Sequence, residues 1–296
     1  MPSSWPIRRD IIALKKEYDS LKKGKEALLT LIDETELPEN VYNSNAIENS
    51  TLSLAETEKI LLEMEVSRKV SVREVFEAKN LARVMNYLKT KLPLQTIDKE
   101  IILFLHRMLL TAINDEFAGR FRQKGEYVRV GMHIAPPPEQ VEPMTDVLLN
   151  EYTENISDFF IDTIAKFHLE FETIHPFCDG NGRIGRVLMN YQMMQRGLPL
   201  LIIRDKEKQT YYDALRAYNL NKSTKEMERI IALALMESLH KRIAYLKGGS
   251  IISLTDYAKS HQPETEKKSI STLLNAAKRQ TIPAFRERGV WKIAIG

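Results

Sequence analysis

Cysteine is nearly absent: Cys178 is the only one in 296 residues. An internal disulfide is therefore excluded, and the composition suits a reducing compartment. Long apolar runs are missing too. The longest, Ile230 to Met236, is too short to cross a bilayer. The opening residues, Met1 to Asp10, lack the apolar stretch of a secretory leader. These absences together predict a cytoplasmic protein with no membrane partner. There is little excess of one charge: 43 Lys and Arg stand against 40 Asp and Glu, a net of +3. Whole-chain electrostatics thus does not demand a nucleic-acid partner. No internal repeat or low-complexity segment occurs. No Gly-Lys-Ser or Gly-Lys-Thr is present either, so a Walker phosphate loop is excluded. What remains is ordinary for a globular chain, with 43% hydrophobic and 28% charged residues. The length allows one large domain or two smaller ones.

The most informative stretch is His175-Pro176-Phe177-Cys178-Asp179-Gly180-Asn181-Gly182-Arg183-Ile184-Gly185-Arg186. Pro176 disfavours α conformation in the residue before it, so a preceding helix should stop at about His175. Gly180, Asn181 and Gly182 can take the positive φ angles of a tight turn. The N–H groups of such a turn form an anion-binding nest. Ile184 to Gln195 reads as a helix whose N-terminus adds favourable potential for phosphate. Arg183 and Arg186, three apart, share a face at that end. Two cations beside a nest suit an oligophosphate and do not suit a core.

This stretch resembles the signature of the Fic family, H-x-F-x-[D/E]-G-N-G-R-x-x-R, and matches it at every specified position. Upstream, Ser44-Asn45-Ala46-Ile47-Glu48-Asn49 is similar to that family's inhibitory helix, [S/T]-x-x-x-E-[G/N]. Taken alone, Glu48 is also compatible with a plain surface residue. The resemblance implies that Glu48, with Ser44 one turn earlier, pairs with Arg186 and restrains the enzyme. Downstream, Tyr211-Tyr212-Asp213-Ala214-Leu215-Arg216-Ala217-Tyr218-Asn219 resembles the family's Y-Y-x-x-L-x-x-x-N segment. It implies that Tyr211, Tyr212 and Asn219 help hold the nucleoside, although an ordinary amphipathic helix would read the same way.

The rest of the chain predicts a mainly α fold. Helices are expected at Asp10 to Leu21, Leu28 to Glu34 and Leu37 to Asn49, the last with Pro38 in its first turn. Ser53-Leu54-Ala55-Glu56 is a capping box for a helix to about Glu65. Val72 to Leu88 and Ile97 to Ala112 follow, the former on apolar i, i+3, i+4 spacing. Gln123 to Ala135 is β-rich and reads as a small hairpin or an irregular loop. The resemblance makes it the flap over the active site, with Val130, Gly131, Met132 and His133 near the nucleotide. Val141 to Glu154 and Ser157 to Ile174 are helical, the latter with Phe160, Ile164, Phe167, Phe171 and Ile174 on one stripe. His168 lacks a third metal ligand at useful spacing, so a hydrogen-bonded core histidine is expected. Leu198 to Ile203 is a buried apolar segment, and Glu226 to Leu246 is a long helix.

The tail, Ser250 to Gly296, holds eight Lys and Arg against four Asp and Glu, net +4, while the remainder is −1. Helices at Thr255 to Ser260, Ser269 to Lys278 and Thr281 to Phe285, then a strand at Gly289 to Ile293, resemble a winged-helix module. Such a module could bind DNA through phosphates or serve as a protein-contact domain. The expected organisation is therefore 1–96 helical with the inhibitory helix at 38–49, 97–247 the Fic-type catalytic core, and 250–296 the winged-helix-like module.

The resemblance implies transfer of AMP from ATP to a Ser, Thr or Tyr hydroxyl of a target protein. His175 is the natural base, since imidazole titrates near neutrality. Asp179 is a hard oxygen ligand suited to Mg²⁺ on the phosphates. Gly180, Asn181 and Gly182 hold phosphate oxygens, and Arg183 and Arg186 offset charge on the leaving pyrophosphate. Removal of AMP, or transfer of another phosphate-linked group, stays open. So do a homodimer and, from a different class, a nucleotide-sensing DNA-binding regulator.

Overall fold

The computed structural model describes residues 5–66, 70–91, 96–131, 133–154, 159–260 and 268–295. Helices dominate: α1 Trp5–Leu21, α2 Glu26–Ile47, α3 Leu54–Glu58, a π-helical turn at Lys59–Glu63, α4 Val72–Lys91 and α5 Lys99–Leu110. A two-stranded hairpin, β1 Arg129–Val130 and β2 His133–Ile134, comes next. Then follow α6 Pro138–Glu154, α7 Phe160–Ile174, α8 Asn181–Gln195, α9 Lys208–Asn221 and α10 Lys225–Lys247. The chain ends with β3 Ser250–Ser253, α11 Leu254–Ser260, α12 Ile270–Lys278, β4 Ala284–Glu287 and β5 Val290–Ile295. No described helix is long and apolar enough to cross a membrane.

Two compact units result. One holds Leu37–Leu198 and Ile203–Glu228; the other holds Ser3–Glu36, Pro199–Ile202 and Arg229–Gly296. In the first, α7 buries Ile161, Ile164, Phe167, Phe171 and Ile174. Each such side chain contributes roughly 1.5–3 kcal/mol when fully buried. The N-terminus of α5 is capped by Asp98, whose carboxylate accepts from the Ile101 amide at 2.8 Å. The capping box at Ser53 and Glu56 forms as its spacing predicts, with Glu56 N donating to Ser53 Oγ at 3.2 Å and Ser53 N to Glu56 at 2.9 Å.

In the second unit, β3, β5 and β4 form an antiparallel sheet in that order. Its inner face joins α11 and α12 around Leu254, Leu273, Ala277, Ala284 and Ile293. Arg242 is buried on α10 and is neutralised by Asp33 and Glu36, at 2.5 and 2.6 Å. That pairing offsets the desolvation of its guanidinium.

Three expectations are corrected. The separate helices Leu28 to Glu34 and Leu37 to Asn49 are one helix, α2, with Pro38 in its interior. Proline there forgoes one backbone bond, but nearly every residue from Pro38 to Ile47 is buried, and that packing outweighs the lost bond. The hairpin Gln123 to Ala135 shrinks to β1 and β2. Its first part is a turn instead, with Glu126 N donating to Gln123 O at 2.9 Å and Arg120 forked onto Glu126 at 2.7 and 2.8 Å. The third tail helix, Thr281 to Phe285, is absent: Gln280 turns left-handed at φ 54°, Pro283 disfavours α at Ile282, and Ala284–Glu287 pairs as a strand.

Candidate active site

The site grows from the end of α7. His175 caps that helix in the left-handed region, at φ 50° and ψ 61°, and its N–H donates to Phe171 O at 2.9 Å. A non-glycine residue rarely adopts this backbone, so the surroundings must hold it. Arg122 does so. Its Nε donates to His175 O at 2.8 Å, its Nη2 to Pro136 O at 2.9 Å, and its backbone N to Pro176 O at 3.0 Å. Phe177 is fully buried and stacks on His106, with ring centroids 3.6 Å apart.

His106 is itself doubly bonded. Gly119 N donates to its Nδ1 at 3.0 Å, and its Nε2 lies 3.0 Å from Asp179 O. Burial pushes this imidazole down to about 4, so it is neutral at physiological pH, and the amide on Nδ1 leaves Nε2 to carry the proton.

Gly180 turns left-handed at φ 83°. Asn181 and Gly182 do not follow it. Both are already the first residues of α8. The nest expected over three residues is therefore one left-handed glycine opening a helix. The first N–H groups of α8 are still unused by the helix itself, and its dipole favours an anion there. Asn181, expected as a further phosphate donor, is engaged within the loop. Its side chain accepts from Phe177 N at 2.9 Å and donates to Phe177 O at 2.8 Å, stapling the loop.

Gly182 and Gly185 are small for separate reasons. A Cβ on Gly182 would overlap the Glu48 carboxylate, and one on Gly185 would overlap that of Glu172.

Burial pushes the pKa of the His175 ring down to about 4. The ring is thus neutral and able to accept a proton. Glu172 Oε2 sits 3.9 Å from His175 Nδ1. Burial, then the charge of Glu48, pushes the Glu172 carboxyl up to about 8.

Asp179 is shared between two arginines, Arg183 at 3.0 Å and Arg73. Burial opposes its ionisation, but Arg183 and Arg73 outweigh that and hold the carboxyl below its ordinary value. Arg183 is also paired with Glu77, at 3.2 Å. Arg186 is buried. Its Nε donates to Ser44 Oγ at 2.9 Å, and its Nη2 to Ser44 O at 2.7 Å and Glu48 Oε1 at 2.8 Å. Burial works against the charge, but Glu48 beside it raises the guanidinium's hold on its proton.

The remaining expected residues are spread around this centre. Tyr211 is buried, with its hydroxyl 2.8 Å from His168 Nε2. Tyr212 is half-buried and donates to Ile47 O at 2.7 Å, which is the last carbonyl of α2. Asn219 is exposed and accepts from Thr173 Oγ1 at 3.0 Å. In the hairpin, His133 Nε2 lies 2.9 Å from Thr173 O, Val130 and Gly131 are exposed, and Met132 lies outside the described residues. His168 is fully buried, as a core histidine should be.

The donor set bears on a metal ion. Among the described residues no group of three or more His, Cys, Asp or Glu could hold one. A lone carboxylate nevertheless fits Mg²⁺, which takes one or two carboxylates and fills its shell with phosphate and water. Asp179 already holds a cation in the form of the Arg73 guanidinium, so a positive charge suits its position.

Residues 96–193 match the model of the Fic/DOC family. This stretch is a Fic/DOC-family domain. The Fic domain and its flanks are 35% identical, over 188 residues, to the protein adenylyltransferase Fic of Nematostella vectensis, covering 61% of this chain and 43% of that protein. Fic-1 of Caenorhabditis elegans is 28% identical in structure-based comparison, with a TM-score of 0.70 over 82% of this chain and 73% of that one. A Fic-domain-containing signalling protein of Bacteroides thetaiotaomicron, 23% identical, shares the fold with a TM-score of 0.73 over 81% of this chain and 98% of that one. The chain spans less than half the length of the animal adenylyltransferases it matches.

Four residues around the Fic motif escaped the sequence reading: Arg73, Glu77, His106 and Arg122. Arg122 immediately precedes Gln123, where the β-rich stretch begins. The other three sit on amphipathic helices and carry no local signal. They become notable only when the fold sets them against the loop.

Proposed function

We propose that the Fic domain moves AMP from ATP onto a Ser, Thr or Tyr hydroxyl of a target protein, and that Glu48 restrains it. The observation that carries this reading is the Glu48 carboxylate, bound to Arg186 and lying over Gly182 in the first turn of α8. A fixed anion there takes ground and a cation that a nucleotide phosphate would need. The names of the animal relatives agree with the chemistry.

The steps follow from the side chains. The first N–H groups of α8, with Arg183, receive the phosphates. His175 takes the proton of the incoming hydroxyl as its oxygen bonds to the α-phosphorus. The bond from that phosphorus to pyrophosphate breaks, and Arg183 and Arg186 offset the departing charge. A divalent cation, held by Asp179, would neutralise charge on the phosphates. The exposed edge of β1 and β2 offers a place for an extended target segment to add as a further strand.

The test is intact-mass spectrometry after incubation with ATP and Mg²⁺, alongside labelling from ATP carrying the label at the α- or γ-position. Glu48→Gly should gain one adenylate and take only the α-label. Wild type should gain less, and Glu48→Gly with His175→Ala about a hundredfold less or worse. Transfer of the γ-label would replace adenylylation with phosphorylation. Equal labelling of wild type and Glu48→Gly would remove the restraint.

A further inference from the structure

Arg73 stands near the start of α4, outside the stretch that matches the family model. Its guanidinium binds Asp179 Oδ2, and its Nε donates to Glu77 Oε1 at 3.0 Å. Arg183 completes the figure, reaching Asp179 Oδ1 at 3.0 Å and Glu77 Oε1 at 3.2 Å. Two cations and two anions thus alternate around a ring. The two arginines are not equivalent. The Arg183 side chain is 3% exposed and that of Arg73 is 53% exposed, so one is fixed by packing and the other has room to move.

We infer that Arg73 stands in for the metal ion on Asp179 and becomes a ligand of the nucleotide's phosphates once the metal displaces it. The inference rests on the reading of Asp179 as the metal-binding carboxylate and adds a residue to it. An ion pair as exposed as Arg73 with Asp179 is weak, and a divalent cation brings twice the charge to the same oxygens. Arg73 displaced from Asp179 stays close, because Glu77 still holds its Nε. Its free nitrogens then lie beside the opening of α8, where the phosphates are proposed to bind. A planar guanidinium suits two phosphate oxygens better than an ammonium does. The exchange keeps the site near neutrality in both states: guanidinium on carboxylate without nucleotide, metal on carboxylate and guanidinium on phosphate with it.

The two parts predict opposite effects of one substitution. In the full chain, Mn²⁺ binding without nucleotide is followed by electron paramagnetic resonance. Binding of α,β-methylene-ATP with Mn²⁺ present is followed by calorimetry. Arg73→Gln should bind Mn²⁺ about two- to fivefold more tightly, because the competing charge is gone. It should bind the analogue about tenfold more weakly, because a charge-assisted phosphate contact is lost. Arg73→Lys should restore competition with the metal but recover only part of the nucleotide affinity. A merely structural Arg73 would weaken both. Asp179→Asn separates the two levels of the argument. If Mn²⁺ binding depends on Asp179 but is unchanged or weaker in Arg73→Gln, the inference falls and the metal reading stands. If no Mn²⁺ binding depends on Asp179 in either protein, both fall.

Discussion

His106 offers a test whose sign can be worked out in advance. The ring is fully buried, stacks on Phe177, accepts from Gly119 and reaches the Asp179 carbonyl. Burial lowers its pKa to about 4, against an ordinary 6.5. A group whose folded value is depressed is protonated first in the unfolded chain. Its stabilising contribution is complete above pH 6.5 and is lost as pH falls towards 4. At about 1.36 kcal/mol per pH unit, the loss between pH 6.5 and 5 is about 2 kcal/mol. His106→Gln keeps a donor and an acceptor but has no proton to gain in this range. At pH 7.5 the variant should be less stable by about 1–3 kcal/mol, from the lost stack and poorer hydrogen bonds. At pH 5 that deficit should shrink by about 2 kcal/mol, and the two proteins should come close to equal. Urea unfolding followed by far-ultraviolet circular dichroism at pH 7.5, 6 and 5 measures the gap. Other buried histidines titrate in both proteins and cancel in the difference. A gap that stays constant from pH 7.5 to 5 would mean that His106 takes up its proton equally readily in the folded and unfolded chains.

Two further outcomes follow. Tyr212→Phe removes the hydrogen bond to the last carbonyl of α2; it should cost about 0.5–1.5 kcal/mol in thermal unfolding and raise auto-labelling above wild type by loosening the end of the helix next to Glu48. Unchanged labelling would confine Tyr212 to the nucleoside. Gly185→Ala forces a methyl against Glu172 and His168 and should destabilise by about 1–3 kcal/mol. A melting temperature equal to wild type would mean that these side chains yield.

Local signals were the ones the chain made readable. The Fic motif lies within twelve consecutive residues; its Pro176 marks the end of α7, while α8 starts at Asn181, three residues before the expected Ile184. The stripe on α7 and the capping box at Ser53 depend on spacing of three or four residues, and both form, except that Phe160 stays half-buried at the start of the stripe. What stayed hidden depends on partners far along the chain. Arg73 and Asp179 are 106 positions apart, and Tyr212 and Ile47 are 165 apart. No periodicity announces such a meeting. Pro38 misled for a related reason: local preference puts proline at a helix start, and only the burial of α2 explains it in the middle. The pairing of the Asn181 side chain with both main-chain groups of Phe177 was equally unannounced by its residue type.

The grip on Arg186 is unequal in origin. Two of its three bonds end on Ser44, within α2, and only the third ends on the Glu48 side chain. Losing that last carboxylate leaves the guanidinium still aimed by its neighbours, with one side newly open to an incoming anion. On the proposed restraint, release thus asks for no rebuilding of the pocket, and a single base change in the codon for position 48 would be enough to lift it.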